Sequence, residues 1–338
     1  MRALFAVICC WSTQVSAQRL LHYTETSGFD HGTRAVSFAM FTDLAEAHGW
    51  TIVDDANGAH FNDLAELRTF AAVIFSNTSG DAILDAQQRA NSETWVGEGG
   101  RVLGIHAASD TYRHSTANGT NTGAWDFYPE LIGGSVQQSP NHVSGTPLYA
   151  MQHIGTHAST APLPDPWEKN EEYYYWEGGY YGPDNTEVLR VEQTVGPNGQ
   201  VNNYDAPRPM SWYRELPSGG RVFYTALGHA ASNYTDDLLF RAHIEAALVW
   251  LLEDLPTGLE EAATEQMKLF PNPADERVLL TGLKNGTLHM FDGLGREVRT
   301  VSIQGPCTSM DVMDLRDGMY VLRTSEGIRM RLLVAHVP

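Results

Sequence analysis

Arg101-Val102-Leu103-Gly104-Ile105-His106-Ala107-Ala108-Ser109-Asp110 is the stretch that decides how this chain is read. Its first half is apolar and follows Glu98-Gly99-Gly100, a glycine stop to a helix-like segment, so it is a short buried strand. Its second half is a polar turn. A strand that runs into such a turn is the carboxyl edge of an open α/β sheet, where these sheets bind ligands. In α/β hydrolases a sharp small-x-nucleophile-x-small turn at this place lifts a Ser or Cys into the pocket. Here the raised position is His106. A neutral imidazole ligates a metal or moves a proton, but it is a poor acyl acceptor. The turn marks an active-site position and argues against nucleophilic acyl chemistry.

Working outward, the same alternation recurs on the N-terminal side. Residues 20–23 form a strand, and 32–48 a helix with Val36, Met40, Leu44 and Ala47 on one face. A strand follows at 50–53 and a short helix at 62–68. The apolar run Phe70-Ala71-Ala72-Val73-Ile74-Phe75 suits a parallel strand covered on both faces, and 81–98 is a helix. Four such units in series predict a parallel sheet with right-handed crossovers. Beyond Asp110, strands are expected at 143–151, 186–192, 210–215 and 222–226. A helix over 235–252, capped by Thr235 with Asp236 and Asp237 in its first turn, closes the domain. After an acidic stretch, short strands at 277–281, 287–291, 297–303, 319–323 and 329–334 alternate with glycine turns, as in a small β-sandwich. Its expected core is Leu269, Val278, Leu280, Phe291, Val301, Val321 and Leu332.

Length and charge bound the rest. At 338 residues the chain is long enough for two domains, and its net charge of −19 disfavours nucleic acid or an anionic membrane as partner. Residues 1–17 read as a signal peptide, with Arg2, an apolar core and Val15-Ser16-Ala17 before the cut. Cleavage removes Cys9 and Cys10 and leaves Cys307 alone, so no internal disulfide and no transmembrane segment are expected in the mature protein. The resulting division is signal peptide 1–17, α/β domain 18–253, linker 254–266 and C-terminal domain 267–338.

His31, His106 and His229 each follow a strand, which places them at one sheet edge if those strands share a direction. Each would otherwise simply cap its strand. Asp110, four residues after His106, is expected to orient its imidazole, and the catalytic set is His106, Asp110, His229 and His31. His157 also follows a strand and is expected to join them. The aromatic run from Tyr173 to Tyr181, flanked by Glu171 and Glu172, suits sugar rings. The expected substrate-binding residues are therefore His157, Glu172, Tyr174, Trp176, Tyr213 and Arg214. Such a histidine–carboxylate set suits a divalent metal, with His106, His31 and His229 as ligands, or equally a metal-free acid/base site. No phosphate-cradling loop or dinucleotide fingerprint is present, so no nucleotide cofactor is expected.

The ordered motifs Thr26-Ser27-Gly28-Phe29-Asp30-His31, Gly104 to Asp110, His157-Ala158-Ser159-Thr160, Glu171-Glu172-Tyr173-Tyr174, Trp212-Tyr213-Arg214-Glu215 and Gly220 to His229 resemble the ThuA-like (trehalose utilisation) family. The chain departs from that pattern at Ala158, where the family usually has Pro, and in the insert 111–124 beside His106. The resemblance implies a flavodoxin-like fold akin to class I glutamine amidotransferases. It also implies a role in carbohydrate utilisation on a trehalose-like disaccharide or its keto derivative, as a hydrolase or a lyase/isomerase rather than an amidotransferase. The alternative is a non-catalytic carbohydrate-binding or scaffold protein. Leu269-Phe270-Pro271-Asn272-Pro273-Ala274, Asp314 to Leu322 and Arg329 to Val334 resemble the C-terminal sorting domain of the type IX secretion system. That implies the outer-membrane secretion machinery as partner and a secreted or surface-attached protein.

Overall fold

The computed structural model describes residues 17–117, 123–253, 255, 268–281, 286–292, 296–303, 307–324 and 329–336. The signal-peptide reading, most of the linker and part of the 111–124 insert lie outside the described residues. The chain divides into two compact units, one spanning Ala17–Leu255 and the other containing the C-terminal strands.

The first unit alternates strand and helix as β1 (Arg19–Tyr23), α1 (Arg34–His48), β2 (Thr51–Asp55), α2 (Leu64–Leu67), β3 (Ala72–Ser76), α3 (Ala86–Gly97) and β4 (Val102–Ile105). There follow α4 (Phe127–Ile132), β5 (Gly134–Val136), β6 (Leu148–His153), β7 (Trp167–Asn170), β8 (Trp176–Tyr181), β9 (Thr186–Val191), β10 (Arg208–Glu215) and β11 (Arg221–Thr225). Helices α5 (Ala231–Thr235) and α6 (Leu238–Leu252) close the unit. Nine strands form one sheet in the order β2-β1-β3-β4-β11-β10-β9-β6-β7. The first five are mutually parallel; β10, β9, β6 and β7 extend the sheet with antiparallel pairings. Strands β3 and β4 are buried along their whole length, as an apolar run covered on both faces requires.

This is the expected flavodoxin-like sheet, with three adjustments. The strand expected over 143–151 forms only from Leu148, as β6. The helix expected over 235–252 begins only at Leu238, a separate short helix α5 precedes it, and Asp237, not Thr235, caps it by accepting from the Phe240 amide. The helix expected over 81–98 starts only after Asp85, where a capping box with Gln88 fixes its first turn.

The second unit is all β. Strands β12 (Lys268–Phe270), β13 (Arg277–Thr281) and β16 (Cys307–Asp311) form one sheet. Strands β14 (Gly286–Phe291), β15 (Glu297–Ile303), β17 (Gly318–Thr324) and β18 (Arg329–Val334) form the other. They share a core that includes Val278, Leu280, Leu288, Met290, Leu322 and Leu332. The sequence reading is one residue out of phase on β14 and β17. Met290 pairs with Leu322 in the core, while Phe291 and Val321 pair on the opposite, partly exposed face. A period of two turns any such slip into the wrong face.

Between β11 and α6, His157 and His243 are buried as neutral rings, and burial holds both down to about 4. Between roughly pH 6.5 and 4 the unfolded chain binds protons at these sites that the folded chain refuses. Stability of this unit therefore falls as pH drops across that window, by up to about 1.4 kcal/mol per pH unit for each histidine, and levels off below it. His157→Asn keeps an acceptor for the Ser159 amide but cannot titrate. Urea midpoints followed by tryptophan fluorescence, to which the tryptophan-free C-terminal unit contributes nothing, will show a shallower pH slope for this variant than for the parent. An identical slope would rule out His157 as a source of the pH dependence.

Candidate functional site

Four segments deliver four side chains to one point at the carboxyl edge of the parallel strands. His31 comes from the loop after β1, His106 from the turn after β4, His229 from the loop after β11, and Glu172 from the extended stretch between β7 and β8. Their ligand-capable atoms all lie within 4.8 Å of one another.

Each segment is held from behind. The loop after β1 is sewn to the loop after β3, with the amides of Ser27 and Gly28 donating to the Ser79 carbonyl and the Ser79 hydroxyl donating to the Phe29 carbonyl. A Cβ on Gly80 would lie 2.4 Å from the Gly28 nitrogen, so these two loops approach only because both positions are glycine. His106 sits in the left-handed region at φ +48°, a strained position for a non-glycine residue. The strain is held by two bonds: the Tyr224 hydroxyl donates to the His106 carbonyl at 2.8 Å, and His106 Nδ1 donates to the Ala226 carbonyl at 2.6 Å. Glu171, buried, accepts from the amides of Gly228 and His229 at 2.9 and 3.2 Å. In an extended chain neighbouring side chains face opposite ways, so Glu171 braces the β11 loop while Glu172 and Tyr174 face the histidines.

Asn77 ties these loops together. At φ +53° beyond β3, its side-chain NH2 lies within 3.0 Å of the Thr33 hydroxyl, the Gly228 carbonyl and the Tyr234 hydroxyl. Its Oδ1 accepts from the Ala107 amide at 3.3 Å. One side chain thus touches the loops bearing His31, His106 and His229.

At the centre, Glu172 Oε2 is 3.2 Å from His106 Nε2, 3.3 Å from His229 Nδ1 and 4.0 Å from His31 Nε2. Its Oε1 is 3.2 Å from His142 Nε2. Burial acts to raise the Glu172 carboxyl, but the imidazoles of His106, His229 and His31 set against it outweigh burial and hold the group far below the usual carboxylate range. His229 is raised by its bond to Glu172, whereas burial lowers His31. The Tyr174 ring stacks on His106 at 4.5 Å, with its hydroxyl 2.9 Å from Nε2.

Other expected site residues go elsewhere. Asp110 does not orient His106: the Ala226 carbonyl occupies Nδ1, and Asp110 lies 3.0 Å from Arg113, with burial raising its carboxyl. His157 stacks between Tyr213 and Phe223 against Trp250 of α6, so it and Tyr213 serve packing under the sheet. Arg214 binds the carbonyls of Glu130 and Leu131 and fastens the end of α4. Trp176 packs edge-on behind Tyr174 and donates to the Pro209 carbonyl. The sequence reading missed His142, Glu171, Asn77 and Phe29. Asn77 had a legible signal, a polar run directly after an apolar strand. His142 had none, because only the bridge between His142 and Tyr174 brings it in.

A family model described as trehalose utilisation matches residues 19–251, more than half of the chain. The chain belongs to the ThuA family. A secretion system C-terminal sorting domain matches residues 268–332, which places this ThuA-family protein among secreted or cell-surface proteins. A ThuA-like protein from Bacteroides uniformis superposes with a TM-score of 0.57 at 18% identity, covering 75% of this chain and 96% of its own. A second, from Parabacteroides merdae, reaches 0.49 at 15% identity over 72% and 96%. No curated protein matches the chain. No helix among the described residues is long and apolar enough to cross a membrane.

Asn77→Gly suits φ +53° and removes only the side-chain bonds. It takes the side-chain partner from the buried Ala107 amide and leaves the Gly228 carbonyl with the Tyr234 hydroxyl alone, and is expected to cost about 1–3 kcal/mol in denaturant unfolding of the first unit. A loss below about 0.5 kcal/mol, the range of neutral surface changes, would refute the bracing role.

Proposed function

We propose that this protein is an exported carbohydrate-active enzyme that acts on a trehalose-like disaccharide or its keto derivative, in a reaction of the hydrolase or lyase/isomerase type. The observation that carries the reading is the meeting of His31, His106, His229 and Glu172, from four separate segments, at one polar point. Membership of a family described as trehalose utilisation supports this substrate class. The rim fits it: Phe29 is 66% exposed and stands edge-on to His31 at 4.9 Å, an apolar ring of the kind that packs on the C–H face of a sugar. A sugar seated there presents a hydroxyl or carbonyl oxygen to the cluster, whose ionised carboxylate and imidazoles bind that oxygen and exchange a proton with it.

Amidotransferase chemistry is not part of the proposal. His106 occupies the elbow, and Ser109, the hydroxyl of that turn, is buried in contacts with Tyr224 and the His106 carbonyl. Among the described residues of that turn, Ser109 is the one hydroxyl nucleophile, and these contacts turn it away from the cluster.

In a screen of trehalose-like and keto-disaccharides, Glu172→Gln is expected to lower kcat/KM at least about 100-fold with the fold intact. Phe29→Ala is expected to raise KM several-fold with kcat little changed. Binding governed by Phe29, with no turnover of any disaccharide, would replace the enzyme with a carbohydrate-binding module.

The C-terminal unit is proposed to serve export alone and to be cleaved or used for attachment afterwards. It has its own apolar cluster, and so does the first unit. Truncation at Glu265 is expected to leave the melting temperature of the first unit and its sugar binding unchanged while abolishing export in the native host. Unfolding of the truncated protein would show that the C-terminal unit is needed for more than export.

A further inference from the structure

We infer that His31, His106, His229 and Glu172 hold a divalent transition metal of the zinc class. The Ala226 carbonyl can only accept, so His106 Nδ1 carries the proton and Nε2 of the neutral ring offers a bare lone pair. That lone pair faces the Tyr174 hydroxyl at 2.9 Å, Glu172 Oε2 at 3.2 Å, His31 Nε2 at 3.2 Å and His229 Nδ1 at 3.4 Å. A carboxylate has only lone pairs to offer, so His106 Nε2 and Glu172 Oε2 are two acceptors set face to face at 3.2 Å. A cation between them satisfies both.

The spacing agrees with a specific coordination. Ligand bonds of about 2.0–2.1 Å in a tetrahedron place donor atoms roughly 3.3–3.4 Å apart. The edges His106–Glu172, His229–Glu172, His106–His229 and His31–His106 are 3.2, 3.3, 3.4 and 3.2 Å. The His31–Glu172 edge is longer, at 4.0 Å. The polyhedron therefore opens on the side of His31, where Phe29 forms the rim, and a ligand oxygen can enter the coordination sphere there. Three imidazoles and one carboxylate suit zinc and its neighbours and are the wrong donors for calcium or magnesium.

The supporting groups are those of a metal site. His106 gives its remote nitrogen to a backbone carbonyl, and the second carboxylate oxygen of Glu172 lies against His142. Both arrangements fix the direction of a ligand.

The test is elemental analysis and zinc titration of the full chain, purified without chelator. About one zinc per chain is expected, lost to a strong chelator and restored by added zinc with a rise in melting temperature. Cobalt in its place should give the visible absorption of a tetrahedral ion. Glu172→Gln and His229→Ala should weaken zinc binding at least about 100-fold, and His142→Ala about 10- to 100-fold. His157→Asn, outside the cluster, should still bind one zinc. A metal-free protein whose melting temperature ignores added zinc overturns the inference. So does zinc held as tightly by the Glu172→Gln and His229→Ala variants, which would place it elsewhere. These readouts need no substrate. A zinc-loaded protein inert to every disaccharide would remove the sugar assignment and leave the metal site, and a metal-free protein that turns over sugar would do the reverse.

Discussion

The side chain of Asn77 is the contact on which the site depends. Three loops that leave the sheet at β1, β4 and β11 have no sequence relation to one another, yet each finds a partner on this one amide. Because the amide is buried, each bond is made in a poorly screened environment, where an unpaired partner is costly. The arrangement is cooperative for that reason. Moving any one loop leaves buried groups of the others without partners.

Glu171 and Glu172 divide two tasks between adjacent carboxylates. Glu171 lies among the amides of the β11 loop, with Lys169 at 3.9 Å and Asn233 at 3.3 Å, and so fixes where His229 begins. Glu172 points the other way, into three imidazoles. The alternation of an extended chain is what allows one short stretch both to build the loop and to furnish the site. The left-handed backbone at His106 belongs to the same design. The turn holds the ring nitrogen over the point where the other ligands meet, and the cost of that geometry is offset by the bonds from Tyr224 and to Ala226.

Much of this was legible in advance because it is local. Apolar runs bounded by glycine mark β1, β3 and β4, and each post-strand histidine lies where parallel topology puts the ligand edge. The placing of His31, His106 and His229 at one edge is therefore legible without a structure. Asp110 was misassigned because a spacing of four residues suggests proximity to His106, whereas the turn directs the imidazole to Ala226 from a different strand. His157 was misassigned because the end of β6 was given the same sense as the ends of the parallel strands. Strand β6 lies in the antiparallel half of the sheet, so following a strand there does not lead to the same edge.

The order of elements, the division into an α/β unit and a β unit, and the candidate histidines follow from the sequence, because hydrophobic period, glycine stops and caps act over a few residues. The tertiary structure alone decided that Glu172, expected to bind the sugar, sits among the histidines while Arg214 and Tyr213, expected beside it, do not. It also decided that Asn77 and His142 matter, and that nine strands run in the order that sets β11 beside β4. Those outcomes depend on contacts between segments from 30 to more than 150 residues apart, and no local pattern encodes which distant partner a buried polar group will meet.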